Sequence, residues 1–121
     1  MKIQKENLPI KIEAPGLALR GQNVGGMIIS YNTLPKGTDF TPLLKGLGND
    51  SCHSAHWGYI IEGKMRIIYD DGREEVTSAG EVYYWPAGHT AIVEEDLKMI
   101  ELSPEKEFGE VLSHVSSVME G

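Results

Sequence analysis

Turn-forming residues fall so regularly between residues 56 and 102 that no helix of ordinary length fits there. Gly63, the Asp71-Gly72 pair, the run Ser78-Ala79-Gly80 and the run Pro86-Ala87-Gly88 interrupt segments rich in Ile, Val, Tyr and Met, so what remains is a series of short strands. The segments are His56 to Ile61, Lys64 to Tyr69, Glu74 to Thr77, Glu81 to Trp85, His89 to Val93 and Lys98 to Leu102. Asp71 and Gly72 suit a tight hairpin because both central positions tolerate positive φ. Short strands spaced by turns specify an all-β sandwich or barrel.

Upstream, Met27 to Leu34 reads as a further strand ended by Pro35, Lys36 and Gly37, and Leu17 to Arg20 as an edge strand after an irregular start. From Thr38 to Asp50 a small apolar group, Leu43, Leu44 and Leu47, sits among turn residues and reads as a packed loop. The period changes after Leu102. Ser103 and Pro104 suit a helix start, Glu105 and Glu107 suit its positive end, and Phe108, Val111, Leu112, Val115, Val118 and Met119 recur at helical spacing. One amphipathic helix over about 104–119 closes the chain, behind a barrel over about 17–102. With 121 residues and 40% hydrophobic content, the chain holds one core and one domain, 1–121.

Charge narrows the partners. A net charge of -7 without a block of Lys or Arg offers nothing to a phosphate backbone, so nucleic acid is not an expected partner. No apolar stretch has the length of a membrane span, and the first residues carry no signal-like apolar region, so a cytoplasmic protein is expected. The single cysteine, Cys52, fits a reducing compartment.

Side chains two apart along a strand face the same way, so His56 shares a face with Gly58 and Ile60, opposite Trp57 and Tyr59. His89 shares a face with Ala91 and Val93. If both faces point inward, two imidazoles meet in an apolar cavity, where neutral imidazole is a good metal ligand. A third ligand is needed: Cys52 has the parity of His56, while His53 requires a bulge. A thiolate favours zinc; an all-histidine set also suits iron, nickel or copper. Alternatively, a neighbouring histidine activates the Cys52 thiol itself. His114, on the polar side of the helix, is given no role. Glu94, Glu95 and Asp96 read as an exposed acidic loop.

The phrase GlyTyrIleIleGluGlyLysMetArgIle, followed by AlaGlyGluValTyrTyrTrpProAlaGlyHis, resembles the two motifs of the cupin superfamily. The resemblance covers Cys52 to about Glu95. Gly80, Pro86 and Gly88 meet the frame of the second motif, G(X)5PXG(X)2H(X)3N, and Gly63 meets the closing glycine of the first, G(X)5HXH(X)3,4E(X)6G. The ligand positions differ: His56 stands where the family has glutamate, its two histidines fall on or near Asn49, Asp50, Ser51 and Cys52, and the second-motif histidine and asparagine positions hold Ala91 and Glu95. The chain looks most like small single-domain cupins with HisTrpGlyTyr and ProXaaGlyHis phrases. The resemblance implies a single-domain jelly-roll β-barrel with a C-terminal α-helix, of the RmlC-like kind.

Three functions are consistent with these residues. The first is a divalent transition metal, zinc before iron, nickel, copper or manganese, held by His56, His89 and either Cys52 or His53, with a small organic molecule beside it and Tyr31, Tyr59 or Tyr83 as hydrogen-bond donor. The second is a non-catalytic small-ligand-binding or regulatory module. The third is a metal-free isomerase or epimerase using a barrel histidine as base, ranked last for want of an orienting aspartate. A homodimer is expected, from the helix stripe and the strand-borne aromatics.

Overall fold

A computed structural model describes residues 1–121. Seven strands, β1 (Ile10–Ala14), β2 (Leu17–Val24), β3 (Met27–Leu34), β4 (His56–Tyr69), β5 (Glu74–Ser78), β6 (Val82–Trp85) and β7 (His89–Pro104), form one antiparallel sheet in the order β1-β2-β3-β7-β4-β5. β6 shares the outer edge of β4 with β5, taking its first half while β5 takes its second. Helix α1 (Thr41–Leu44) and helix α2 (Glu105–Glu120) complete the chain.

The sheet begins earlier than the edge strand expected at Leu17. Ile10–Ala14 pairs with β2 across a turn at Pro15 and Gly16, where Gly16 takes φ +73°. Pro9 hides this strand from a periodicity reading, yet Pro9 lies just outside it and contributes its carbonyl to Gly21 N–H. The hairpin at Asp71-Gly72 forms, with only Gly72 at positive φ; Asp71 instead accepts the Arg73 N–H on its carboxylate. The expected loop at Thr38 to Asp50 contains α1 and a 3-10 turn at Gly48–Asp50.

Two pairs of expected strands are each one long strand. β4 runs through Glu62 and Gly63 by means of bulges, and β7 runs through the acidic residues Glu94 to Asp96. Gly63 makes this possible: it sits at φ +92°, and a Cβ there would run into the Asp96 carbonyl of the adjoining strand. The acidic residues are engaged rather than free in a loop. Glu94 accepts from Arg66 at 2.7 Å and Asp96 accepts the Lys36 N–H at 2.8 Å.

Inward residues of β4, β6 and β7 alternate with outward ones, and the buried set Ile60, Met65, Ile67, Val93, Leu97 and Met99 forms the centre of the core. α2 places Phe108, Val111 and Val115 against one end of the sheet. His114, placed on the polar side of the helix and given no role, has its Nε2 2.8 Å from the Lys45 carbonyl, tying α2 to the segment after α1. No helix is long and apolar enough to cross a membrane.

Candidate metal centre

Three donors converge at the end of the sheet beneath α2. His56 opens β4 and His89 opens β7; Cys52 reaches them through a short antiparallel bridge, its N–H on the His89 carbonyl at 2.7 Å and its carbonyl accepting the Gly88 N–H at 2.8 Å. The Pro86-Ala87-Gly88 turn sets this arrangement, because Gly88 at φ +90° returns the chain toward Cys52. One donor atom from each of Cys52, His56 and His89 lies within 4.8 Å of the others, and all three side chains are buried. Cys52 Sγ and His56 Nε2 are 3.4 Å apart.

The other ring nitrogens are already engaged. His89 Nδ1 donates to the Pro86 carbonyl at 2.8 Å. His56 Nδ1 lies 2.6 Å from Ser103 Oγ and 3.4 Å from Glu101 Oε2. A partner on the far ring nitrogen is the arrangement that fixes the tautomer of a metal-ligating histidine and leaves Nε2 as its ligand atom. The donor set fits a tetrahedral ion: zinc–sulfur and zinc–nitrogen bonds of about 2.3 and 2.1 Å place such ligand atoms about 3.6 Å apart.

His53 is not part of this cluster. Its ring points outward and pairs with Glu110 of α2 at 3.1 Å, because no bulge reverses its parity. Tyr59 is also outward-facing, and Tyr31 packs beneath Lys5 rather than in the cavity. Tyr83 is the inward tyrosine. Its hydroxyl donates to Glu101 at 2.7 Å, crossing the strand between them at Gly58, where a Cβ would collide with that hydroxyl and with the Ile100 carbonyl.

Glu101, Ser103 and Asn32 were absent from the sequence-derived site. A signal for Glu101 existed: it shares the inward parity of Leu97 and Met99, and a carboxylate on a buried face requires a partner. Burial pushes the Glu101 carboxyl up to about 8, opposed by the Tyr83 hydrogen bond. Burial likewise pushes the Cys52 thiol up to about 12, opposed by a hydrogen bond with Ser54. His56 is driven down to about 3 by burial and then by His89, and burial also lowers His89, opposed by its bond to Pro86. Both rings are therefore neutral at neutral pH, as ligation requires.

The donors open on a cavity of about 80 Å³, walled by Leu34, Met65, Trp85, Met99, Phe40 and Phe108 among others. Phe108 closes over His56, ring centroids 5.0 Å apart.

No family model matches the chain, and neither does any curated protein sequence. Solved structures do. An RmlC-like cupin from Shewanella frigidimarina superposes with a TM-score of 0.59 at 18% identity, over 88% of this chain and 93% of its own. The chain has the cupin fold. A protein of unknown function from Rhizobium leguminosarum bv. viciae is similar over 86% of this chain and 95% of its own, with a TM-score of 0.63 at 18% identity. Ectoine synthase from P. lautus is similar over 86% of this chain and 76% of its own, with a TM-score of 0.59 at 16% identity. Identities this low carry the jelly-roll barrel and no activity. Within that cupin barrel, Cys52 and His56 occupy positions that correspond in spacing to a histidine and the glutamate of the first motif, so a different donor set stands in the motif's place.

Proposed function

We propose that the protein is a small metal-binding cupin in which Cys52, His56 and His89 hold a divalent transition ion, and that a small organic molecule binds beside it. The observation that carries this reading is the convergence of Cys52, His56 and His89, all buried and with one donor atom of each within 4.8 Å of the others, while both Nδ1 atoms are engaged by Pro86 on one side and by Ser103 and Glu101 on the other. One thiolate with two imidazoles suits zinc ahead of iron, nickel, copper or manganese. A bound ion would act as a Lewis acid on a coordinated oxygen. The chain's own residues orient the rings, hold a proton between Tyr83 and Glu101, and exclude water through Phe108 and the apolar wall.

The metal-free isomerase reading is disfavoured by the same burial. Glu101 supplies the orienting carboxylate that the sequence lacked, but a ring held down at about 3 accepts a proton poorly at neutral pH. Metal-stripped protein should take up one zinc per chain, measured by native mass spectrometry with elemental analysis. His56→Ala and His89→Ala should abolish uptake, and His53→Ala should leave it unchanged; a wild-type chain that takes up no transition metal ends this reading.

We also propose a homodimer built on the outer face of β6, β4 and β7. Tyr84 stacks on Trp57, ring centroids 5.1 Å apart, and Val82, Tyr59 and Leu102 extend the patch, with Val82 81% exposed. Each of these five residues is at least 41% exposed, and together they form an apolar surface of the kind that marks an interaction face.

A further inference from the structure

Asn32 is the polar side chain of the cavity wall that nothing in the chain answers. Cys52, His56, His89, Thr90 and Glu101 all have hydrogen-bond partners, whereas the Asn32 amide has none, although the residue is only 6% exposed. No wholly enclosed side-chain nitrogen or oxygen in the protein lacks a partner, so the polar atoms of this amide are not sealed off, and Asn32 lines the cavity. Asn32 lies on β3 opposite Met99 of β7, two residues along that strand from Glu101, which places it on the wall shared with the donor cluster. A buried amide kept facing a cavity is a recognition group, since apolar side chains fill the neighbouring positions Leu19 and Leu34.

We propose that Asn32 anchors the far end of the cavity ligand and that this ligand is a short hydroxy acid, its carboxylate toward the ion and its hydroxyl on the Asn32 amide. The proposal rests on the metal reading above. Size sets the first limit: a cavity of about 80 Å³ that also holds the ion leaves room for only a small molecule. The amide sets the second. It offers a donor and an acceptor, and a hydroxyl answers both, whereas a methyl answers neither. Charge sets the third, because a divalent ion with one thiolate carries one uncompensated positive charge in an apolar enclosure, and a monocarboxylate cancels it.

Glycolate and propionate have the same number of heavy atoms and differ by hydroxyl against methyl. Titration calorimetry on the zinc-loaded wild type should show glycolate binding at least tenfold more tightly than propionate, and in Asn32→Leu that preference should collapse. A wild type that binds the two acids equally, or does not bind glycolate, overturns the proposal, as does an Asn32→Leu protein that keeps the wild-type preference. Zinc content measured on the same samples separates the two readings: zinc-loaded protein indifferent to the hydroxyl overturns this proposal alone, and protein that takes up no zinc overturns the metal site together with it.

Discussion

The carboxyl of Glu101 is enclosed, with the Tyr83 hydroxyl bonded to one oxygen and the His56 ring beside the other, and its proton affinity couples the fold to pH. In the metal-free protein its pKa is raised from 4.5 to about 8, so the native state holds a proton that the unfolded chain releases. Stability contributed this way is complete below about pH 4.5 and lost as pH rises through 8. His56 acts in the opposite sense: with its pKa lowered from 6.5 to about 3, its contribution is complete above about 6.5 and lost as pH falls through 3. Chemical denaturation of metal-free protein should therefore show declining stability between about pH 6.5 and 8, and Glu101→Gln should flatten that decline. Zinc binding should release a proton from Cys52, whose thiol is pushed up to about 12, so apparent zinc affinity should rise with pH; calorimetry in buffers of different ionisation enthalpy counts the proton.

At the level of elements, β4 and β7 form the continuous pair on which the site depends, because His56 and His89 stand at the first residue of each. The bulges after Ile60 keep both strands unbroken, and Gly63 permits them. Gly63→Ala combines a positive φ with a collision against the Asp96 carbonyl, so it should cost about 2 kcal/mol or more in denaturant unfolding, while Gly109→Ala, in α2 with open space around it, should be neutral or stabilising. Phe108 connects α2 to the centre through its contact with His56. Phe108→Ala should cost about 3 kcal/mol in unfolding free energy and accelerate metal loss to a chelator, since it both empties a packed position and opens the cavity.

On the scale of the whole molecule, charge is segregated on the sheet's outer surface. The Arg66–Glu74, Arg66–Glu94, Lys64–Glu95 and Lys98–Glu62 pairs lie from Glu62 onward along β4 and its neighbours, and the uncharged residues Tyr84, Trp57, Tyr59 and Val82 gather beside the first residues of β4. A chain of net charge -7 meets a copy of itself at lowest electrostatic cost where it bears no charge. Sedimentation at micromolar concentration should give a dimer for the wild type and a monomer for Tyr84→Glu, with zinc content unchanged because Tyr84 faces away from the cavity; a wild-type monomer at that concentration sinks the dimer.

Local chemistry was sufficient for the parts of the chain whose conformation depends on near neighbours. The turns at Gly72 and Gly80, the alternation that turns His56 inward and Trp57 outward, the Gly80-Pro86-Gly88 frame and the helix after Pro104 were all legible, since a turn or a strand face is decided within a few residues. The strand at Ile10–Ala14 was hidden by Pro9 at its edge, and the continuity of β4 and β7 and the pairing of His53 with Glu110 depend on partners 20 to 57 residues away or on a bulge that periodicity does not reveal. The site divides the same way. Sequence placed the two histidines and Cys52 on plausible faces, but only the folded sheet set Cys52 3.4 Å from His56, put Ser103 and Glu101 behind the ring, and left Asn32 facing a cavity without a partner. Direction along a strand is a property of the strand itself; proximity across a barrel is produced by closure, which no single segment encodes.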